Sequence, residues 1–438
     1  MAIQGAKAPS AKRFHTVLIP GFAGFDALGQ LEYYAGLTPL FQRRGAHDEV
    51  LHYFDNYPTA AVEARAARLR KYLAKRIARG EIATGDEVTL VGHSTGGLDI
   101  RWLLWQLHHP SESAAVDGGP AVEAEKILQA VRRVVFLSVP HWGTNIADWV
   151  RAHGIGRKAV VADLRAAVAG SQFLLVDWVE RVITGGAACL TGAELLLAVQ
   201  DALSEANACI GARSPLRKAE AHEAASQLAL YLRDIASNFR AIDDLTSRPP
   251  QSPKVVSPAH FDRKARAEEM GLLRKIKFRS YLTLGRRPFR FPSGQPAPLW
   301  ELAMPCTYPE VTKDVVLSAG TDIAYRTCYR ACAGGPFEEP PIPRRKMTRP
   351  PSGTPQRKIE VWDNDGIVNT LSMFWPKDQN VLVAADHMDI VGQYKLVKAE
   401  PGEGRTYRAY DLLKSASGFD DKSLEKIWND IFAFCRDG

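Results

Sequence analysis

Long apolar runs are missing from this chain of 438 residues: none approaches the ~18–20 residues that a helix needs to span a membrane. Internal repeats are also missing, which excludes a solenoid. The stretch from Met1 to Phe14 has no apolar segment of the ~7–15 residues found in secretory signals. Three possibilities therefore stay open. The protein acts inside a cell, it is exported by a route that does not use the N-terminus, or a leader was removed earlier.

Cysteine is scarce, and no pair has the C-x-x-C spacing with histidines that is typical of structural zinc sites. The sequence predicts buried free thiols in a reducing compartment, with a disulfide among them as the alternative. The six cysteines are Cys189, Cys209, Cys306, Cys328, Cys332 and Cys435.

Acidic residues are the minority, with 49 Asp and Glu against 56 Lys and Arg and a net charge of +7. The excess is local: from Arg248 to Arg290 there are twelve Lys/Arg and three Asp/Glu, and a second basic run follows at Arg344–Lys346. Aromatic residues are not interleaved with these charges, so no nucleic-acid partner is expected. The pattern indicates a solvated basic surface, with attraction to an anionic lipid surface as the alternative.

Strand-like and helical stretches alternate through the first part of the chain. The strand-like runs are Thr16–Ile19, Val50–Phe54, Glu87–Val91 and Val134–Val139, and the helical ones are 60–78 and the stretch ending at Leu107. This alternation favours right-handed crossovers and a mostly parallel sheet, hence an α/β fold.

The length exceeds the ~250–300 residues at which single cores stop growing, so large insertions are expected. We expect 1–145 and 358–438 to form the two parts of the core, with 276–285 as a further core strand. Residues 146–275 are predicted to be a mainly helical cap, either a moving lid or a static subdomain, and 286–357 an irregular Pro/Arg-rich insertion. Within the C-terminal part, strands are predicted at 359–361 and 381–383 and a helix at 422–435.

The segment Gly92-His93-Ser94-Thr95-Gly96 lies between a predicted strand and a predicted helix, which is the setting of a nucleophile elbow. A serine there is held clear of the sheet, and the backbone N–H of Thr95 points toward the place where an oxyanion would form. The glycine-flanked turn after the first strand offers the N–H of Phe22 as a second donor. Ser94 is therefore the candidate nucleophile.

A serine hydroxyl needs a base, and the base needs an acid that orients it. His387 is the candidate base, because it follows a strand-like run late in the chain, where this fold requires it. Asp365, in the turn Asp363-Asn364-Asp365-Gly366, is the candidate acid and Asp363 the alternative. Asp386 is disfavoured because the side chains of neighbouring residues near a strand end diverge.

Four segments together resemble the signature segments of the bacterial true lipases, the group with the Pseudomonas, Burkholderia and thermophilic Bacillus enzymes. They are Gly92-His93-Ser94-Thr95-Gly96-Gly97, Pro140-His141-Trp142-Gly143-Thr144, Asn364-Asp365-Gly366-Ile367-Val368 and Asp386-His387-Met388-Asp389. The resemblance covers roughly 14–145, 277–283 and 358–395. It implies an α/β-hydrolase fold, the triad Ser94, Asp365 and His387, and an oxyanion hole from Phe22 and Thr95. Pro20, where those lipases usually have histidine, is more similar to relatives of the lecithin–cholesterol acyltransferase type.

The resemblance further implies hydrolysis of lipid-like carboxylic esters through an acyl-enzyme, with no cofactor required. The alternatives are a phospholipase or an acyltransferase using the same triad, and a non-catalytic binding protein on a hydrolase scaffold. Calcium is often bound near the catalytic histidine of those lipases, and Asp389 would be one ligand here, although calcium needs six to eight oxygens. The sequence predicts neither the natural substrate nor the oligomeric state.

Overall fold

The structure of the protein is a computed structural model, and it describes the chain from Lys12 to Arg436 with gaps. The described residues are 12–22, 24, 27–28, 31–109, 119–152, 240–249, 257–287, 325–326, 328–333, 359–375, 380–395, 397, 409, 411 and 413–436.

A six-stranded sheet forms the centre of the described part of the chain, and all of its neighbouring strands are parallel. In space the strands follow the order β2-β1-β3-β4-β5-β6. They are β1 (Phe14–Ile19), β2 (Glu49–Tyr53), β3 (Glu87–His93), β4 (Val131–Leu137), β5 (Lys277–Leu284) and β6 (Asn380–Ala384). A separate two-stranded ladder joins Ala27–Leu28 to Leu31–Glu32.

Helices cover both faces of this sheet, which is why its central strands are continuous apolar runs rather than alternating ones. The α-helices of the described residues are α1 (Leu37–Arg43), α2 (Val62–Ala78), α3 (Thr95–His108), α4 (Gly119–Ala130), α5 (Asn145–Ala152), α6 (Ala241–Leu245), α7 (Arg263–Leu272) and α8 (Asp421–Arg436). Short 3₁₀ turns occur at Pro258–His260, Leu273–Lys275, Thr370–Met373 and Asp389–Val391.

Successive residues of one strand belong to different hydrophobic cores. Leu90 packs in the cluster that holds α2 and α3, whereas the next residue, Val91, packs with Trp428 of α8 on the other face. This division follows from the two-residue period of a strand, whose side chains alternate between the two faces. All three side chains are completely buried, so the sheet is the middle layer of a three-layer α/β structure.

The α/β class and the parallel sheet are confirmed, and the strand order with the strand–turn–helix at Ser94 is that of an α/β-hydrolase fold. The strand predicted at 359–361 is wrong. There the backbone N–H of Glu360 donates to the Asp363 carboxylate at 2.9 Å, and the N–H of Asp363 donates back to the Glu360 carbonyl at 3.0 Å. The local turn therefore takes the hydrogen bonds that a sheet ladder would use.

Most of the two predicted insertions, 153–239 and 288–324 among them, lie outside the described residues. Within the described ranges, no helix is long and apolar enough to cross a membrane. Cys328, Cys332 and Cys435 are free and buried, while the other three cysteines lie outside the described residues.

Candidate active site

Ser94 stands in the turn between β3 and α3 with a φ of 52° and a ψ of −128°, in a region that side-chain-bearing residues seldom occupy. The turn is tight: a Cβ at Gly92 would lie 2.7 Å from the N of Gly97, and one at Gly96 would lie 2.5 Å from the Ile19 carbonyl oxygen. Only glycine fits at both positions, which explains the pattern read from the sequence. The backbone N–H of Thr95 is the first of α3 and has no partner within the helix.

The imidazole of His387 is bonded to Asp365, its Nδ1 lying 2.7 Å from Oδ2. Both side chains are buried, at 2% and 0% exposure. Because the carboxylate accepts, Nδ1 carries the proton and Nε2 carries the lone pair. The other carboxylate oxygen of Asp365, Oδ1, accepts the N–H groups of Ile367 and Val368 at 3.0 and 2.7 Å. The acid is thus fixed by its own loop and faces the histidine.

The other aspartates near these residues have different partners. Both Arg287 contacts to Asp363 go to its Oδ1, at 2.9 and 3.1 Å. Asp386 accepts the N–H groups of Met388 and Asp389 and the hydroxyl of Ser415. Neither aspartate contacts His387 through a hydrogen bond within the described residues, so Asp365 is the carboxylate that the fold brings to the base.

His93 links the two sides of the site and stays neutral. Its Nε2 lies 2.9 Å from the carbonyl oxygen of His387 and therefore donates, which leaves Nδ1 as an acceptor. The hydroxyl of Tyr33 lies 2.6 Å from that Nδ1 and accepts the N–H of Gly21 at 3.0 Å. Burial holds the pKa of His93 well below its usual value, and the nearby His387 lowers it further. One directed chain of hydrogen bonds thus joins the Gly21 loop to the backbone of the base.

An ion pair between Arg65 and Asp99, both completely buried, lies behind the loop after β1. Burial raises the pKa of Asp99 to about 6, although Arg65 opposes the shift. One Nη of Arg65 donates to the carbonyls of Pro20 and Gly21 at 2.8 and 3.1 Å. Because C=O and N–H of a trans peptide point in opposite directions, the N–H of Phe22 points away from Arg65.

A largely apolar cavity opens beside Ser94 and His387, and Phe22 borders it as well. Its walls include residues of α5 and α6, the two helices that adjoin the undescribed stretch 153–239. The remaining lining residues are Tyr33, Pro140, Thr144, Ile146, Ala147, Val150, Ile242, Leu245, Ile367, Val368 and Met388. Such a lining suits an aliphatic group, because it offers hydrophobic contact and few polar partners.

A short helical segment at 328–333 packs against the loop that carries Asp365. The side-chain amides of Asn145 and Asn369 both donate to the carbonyl of Cys332, at 2.8 and 3.1 Å. Asn369 also accepts the N–H of Asn145 at 3.1 Å. Three parts of the chain that are distant in sequence therefore meet at one carbonyl beside the acid.

Calcium does not fit the described residues around Asp389. Oδ2 of Asp389 already accepts the N–H of Asp386 and the hydroxyl of Ser417, both at 2.8 Å. Burial raises the pKa of Asp389 to about 7, which disfavours the anion that a hard cation requires. No group of three His, Cys, Asp or Glu side chains in the described ranges is placed to hold a metal ion. Calcium therefore remains a prediction of the resemblance alone.

Several supporting residues of the site were not predicted from the sequence. Tyr33, Arg65 and Asp99 act from separate elements, and Thr283 of β5 donates its hydroxyl to Asp365 at 2.6 Å. Only the spacing of Asp99, five positions after Ser94 on the following helix, could have drawn attention to it. His141, which belongs to the second of the four signature segments, is buried and lies against Arg101 and Trp375.

No protein family model matches the chain. Among solved structures it is similar to EstA from Clostridium botulinum (16% identity, 93% of this chain and 87% of that chain, TM-score 0.44). It is also similar to lipase 1 from Pelosinus fermentans (15% identity, 96% and 98%, TM-score 0.41). A third is the mature form of the Bacillus licheniformis lipase BlEst2 (12% identity, 88% and 89%, TM-score 0.36). These values are low, so the fold assignment rests on the strand order and the turn at Ser94.

Proposed function

We propose that this chain is a serine hydrolase of carboxylic esters with apolar, lipid-like acyl groups. The observation that carries the proposal is the 2.7 Å bond between His387 and Asp365, together with Ser94 on the border of the same apolar cavity. Nucleophilic catalysis needs a nucleophile, a base and an acid, and these three residues, which come from three separate loops, are of the required types.

The reaction begins when Ser94 Oγ attacks the ester carbonyl carbon and its proton passes to Nε2 of His387. Asp365 stabilises the imidazolium that results, and the N–H groups of Phe22 and Thr95 bind the carbonyl oxygen as it becomes an oxyanion. The intermediate collapses with cleavage of the bond to the alcohol oxygen, which takes the proton from His387. Water then attacks the acyl-enzyme by the same route and releases the acid.

The first test is turnover of p-nitrophenyl esters from acetate to palmitate by the wild-type chain and by Ser94→Ala. The wild type is expected to favour acyl chains that fill the apolar cavity, and Ser94→Ala to lose about 10³–10⁶-fold in kcat. His387→Gln should be similarly impaired. His109→Gln is the matched control, since His109 is exposed at the end of α3 and bonded to Glu268.

A fluorophosphonate probe tests the nucleophile independently of the substrate. It should label the wild-type chain at Ser94 and leave Ser94→Ala unlabelled. A folded wild-type chain that neither turns over an ester nor takes up the probe would refute the proposed function. Triglyceride emulsions and phospholipid vesicles with and without anionic lipid then separate a lipase from a phospholipase.

A further inference from the structure

Two hydroxyl side chains, those of Thr283 and Ser138, lie behind the acid of the proposed triad. Thr283, near the end of β5, is completely buried, and its Oγ1 lies 2.6 Å from Oδ2 of Asp365. That same oxygen lies 2.7 Å from Nδ1 of His387. Ser138, just after β4, is also completely buried, and its Oγ lies 2.7 Å from Oγ1 of Thr283.

The direction of these hydrogen bonds is fixed by the ionised carboxylate at their end. A carboxylate only accepts, so the hydroxyl of Thr283 donates to Asp365. The sulfur of Met373 lies 3.5 Å from the same hydroxyl, but a thioether is a weak acceptor and does not compete with a charged oxygen. With its proton committed, Thr283 Oγ1 is the acceptor for Ser138. The order is therefore Ser138 to Thr283 to Asp365.

Ser138 holds its place in a strained backbone conformation. Its φ is 51°, a left-handed value that glycine adopts more readily. Its N–H donates to the carbonyl of Tyr281 at 3.0 Å, so the turn after β4 is tied to β5. Glycine would suit this backbone better but has no hydroxyl. A non-glycine residue at such a position indicates that its side chain is used.

We propose that Ser138 and Thr283 are positioning residues that extend the triad behind its acid. Two hydrogen-bonded arms, one from Ser138 through Thr283 and one from His387, then converge on Oδ2 of Asp365. This inference rests on the proposed function. Their role is to hold Oδ2 of Asp365 against His387 and to share its negative charge. The opposite oxygen is already bonded to two backbone N–H groups, so Thr283 supplies the partner that completes the carboxylate on the side of the base.

Removal of the Thr283 hydroxyl should move the pH profile of kcat/KM in one defined direction. Without that donor, the charge on Asp365 is less delocalised and attracts the imidazolium of His387 more strongly. The acid limb of kcat/KM, which reports protonation of the base, should then move to higher pH in Thr283→Val. Loss of one hydrogen bond to a charged group should also lower kcat by about tenfold to hundredfold, because the carboxylate is held less firmly.

Two variants control for packing. Thr283→Ser keeps the hydroxyl and should restore both the kcat and the acid limb of the wild type. Thr370→Val makes the same isosteric change at another completely buried threonine, whose hydroxyl donates to the carbonyl of Thr283 at 2.9 Å and not to Asp365. It should lower the free energy of unfolding without moving the acid limb.

Ser138→Gly removes the hydroxyl farthest from Asp365 in this series of hydrogen bonds. The test does not require Thr283→Val to fold. Glycine relieves the left-handed backbone, so the variant should fold at least as well as the wild type. It should nevertheless lower kcat and move the acid limb in the same direction as Thr283→Val, by a smaller amount. In the double variant the loss of Ser138 should add nothing, since its acceptor is already gone.

The decisive measurement is the pH profile of kcat/KM on one p-nitrophenyl ester. It compares the wild type with Thr283→Val, Thr283→Ser, Thr370→Val, Ser138→Gly and the double variant Ser138→Gly/Thr283→Val. An active wild type whose acid limb and kcat are unchanged in Thr283→Val and Ser138→Gly would overturn this inference and leave the proposed function standing. Additive effects of the two losses would also overturn it. An inactive, unlabelled wild type would refute the proposed function instead.

Discussion

Tyr33 offers the sharpest single test of the network around the site, because one hydroxyl satisfies two buried groups. Tyr33→Phe removes the acceptor of the Gly21 N–H and the donor to Nδ1 of His93. Tyr33 is 4% exposed and His93 is completely buried, so water does not readily replace the missing hydroxyl. Each buried group left without a partner costs about 1–3 kcal/mol, so the free energy of unfolding should fall by about 2–6 kcal/mol.

Catalysis should suffer as well, since Tyr33 ties the Gly21 loop to the base. With that tie cut, the N–H of Phe22 is held less firmly, and kcat should fall by about tenfold to hundredfold, less than the loss of an entire oxyanion donor. Urea unfolding followed by fluorescence measures the first effect, and p-nitrophenyl ester turnover the second. Tyr53→Phe is the control, because Tyr53 ends the edge strand β2 and its hydroxyl contacts Thr38 of α1. A loss under about 1 kcal/mol with kcat within about twofold of wild type would refute this reasoning.

Two further predictions concern charge. Asp365→Asn should lower kcat by about 10⁴-fold, because the amide favours the wrong tautomer of His387. Asp363→Asn should stay within a fewfold of wild type, because the Asp363 carboxylate is bonded to Arg287. A large loss in Asp363→Asn with an active Asp365→Asn would make Asp363 the acid. Burial lowers the pKa of His15. The pKa of His52 is lowered from 6.5 to about 3, mainly by burial and secondly by the positive charge of Arg76. Both then take up protons mainly on unfolding, so stability is complete above pH 6.5 and falls below it by up to about 1.4 kcal/mol per pH unit for each histidine. In urea titrations His52→Gln, which keeps a donor toward His15, should give a shallower decline; curves of equal slope would contradict this.

The sequence was most informative where one residue type alone satisfies a local constraint. The glycines around Ser94 mark the turn because a Cβ at either position would collide with backbone atoms, and the apolar runs mark strands buried on both faces. The parallel direction of the strands follows from the helices that connect them, and the strand order comes from the structure alone. The prediction of a strand at 359–361 was wrong because the Asp363 carboxylate accepts the Glu360 N–H. The hydrophobic pattern of the sequence gives no information on such local hydrogen bonds.

The supporting residues could not be predicted for a different reason. Arg65 lies in the first turn of α2, a helix with several other arginines, and resembles one more solvated charge. Thr283 looks like any β-branched strand residue. Their roles depend on which strand lies next to which, and therefore on long-range contacts. Asp365 could be favoured over Asp363 from its place before Gly366, but only the partners of each carboxylate separate the two.

The meeting of three chain segments at the Cys332 carbonyl has a consequence for protein engineering. The helical turn at 328–333 lies within the second predicted insertion, 286–357, yet Asn145 and Asn369 both bond to its Cys332 carbonyl beside the loop of Asp365. A chimera that exchanges this insertion for that of another hydrolase should therefore place its junction before 325 and keep 325–333 with the recipient. A junction placed after 333 would leave both amides without their acceptor and would loosen the acid loop while every catalytic residue was still present.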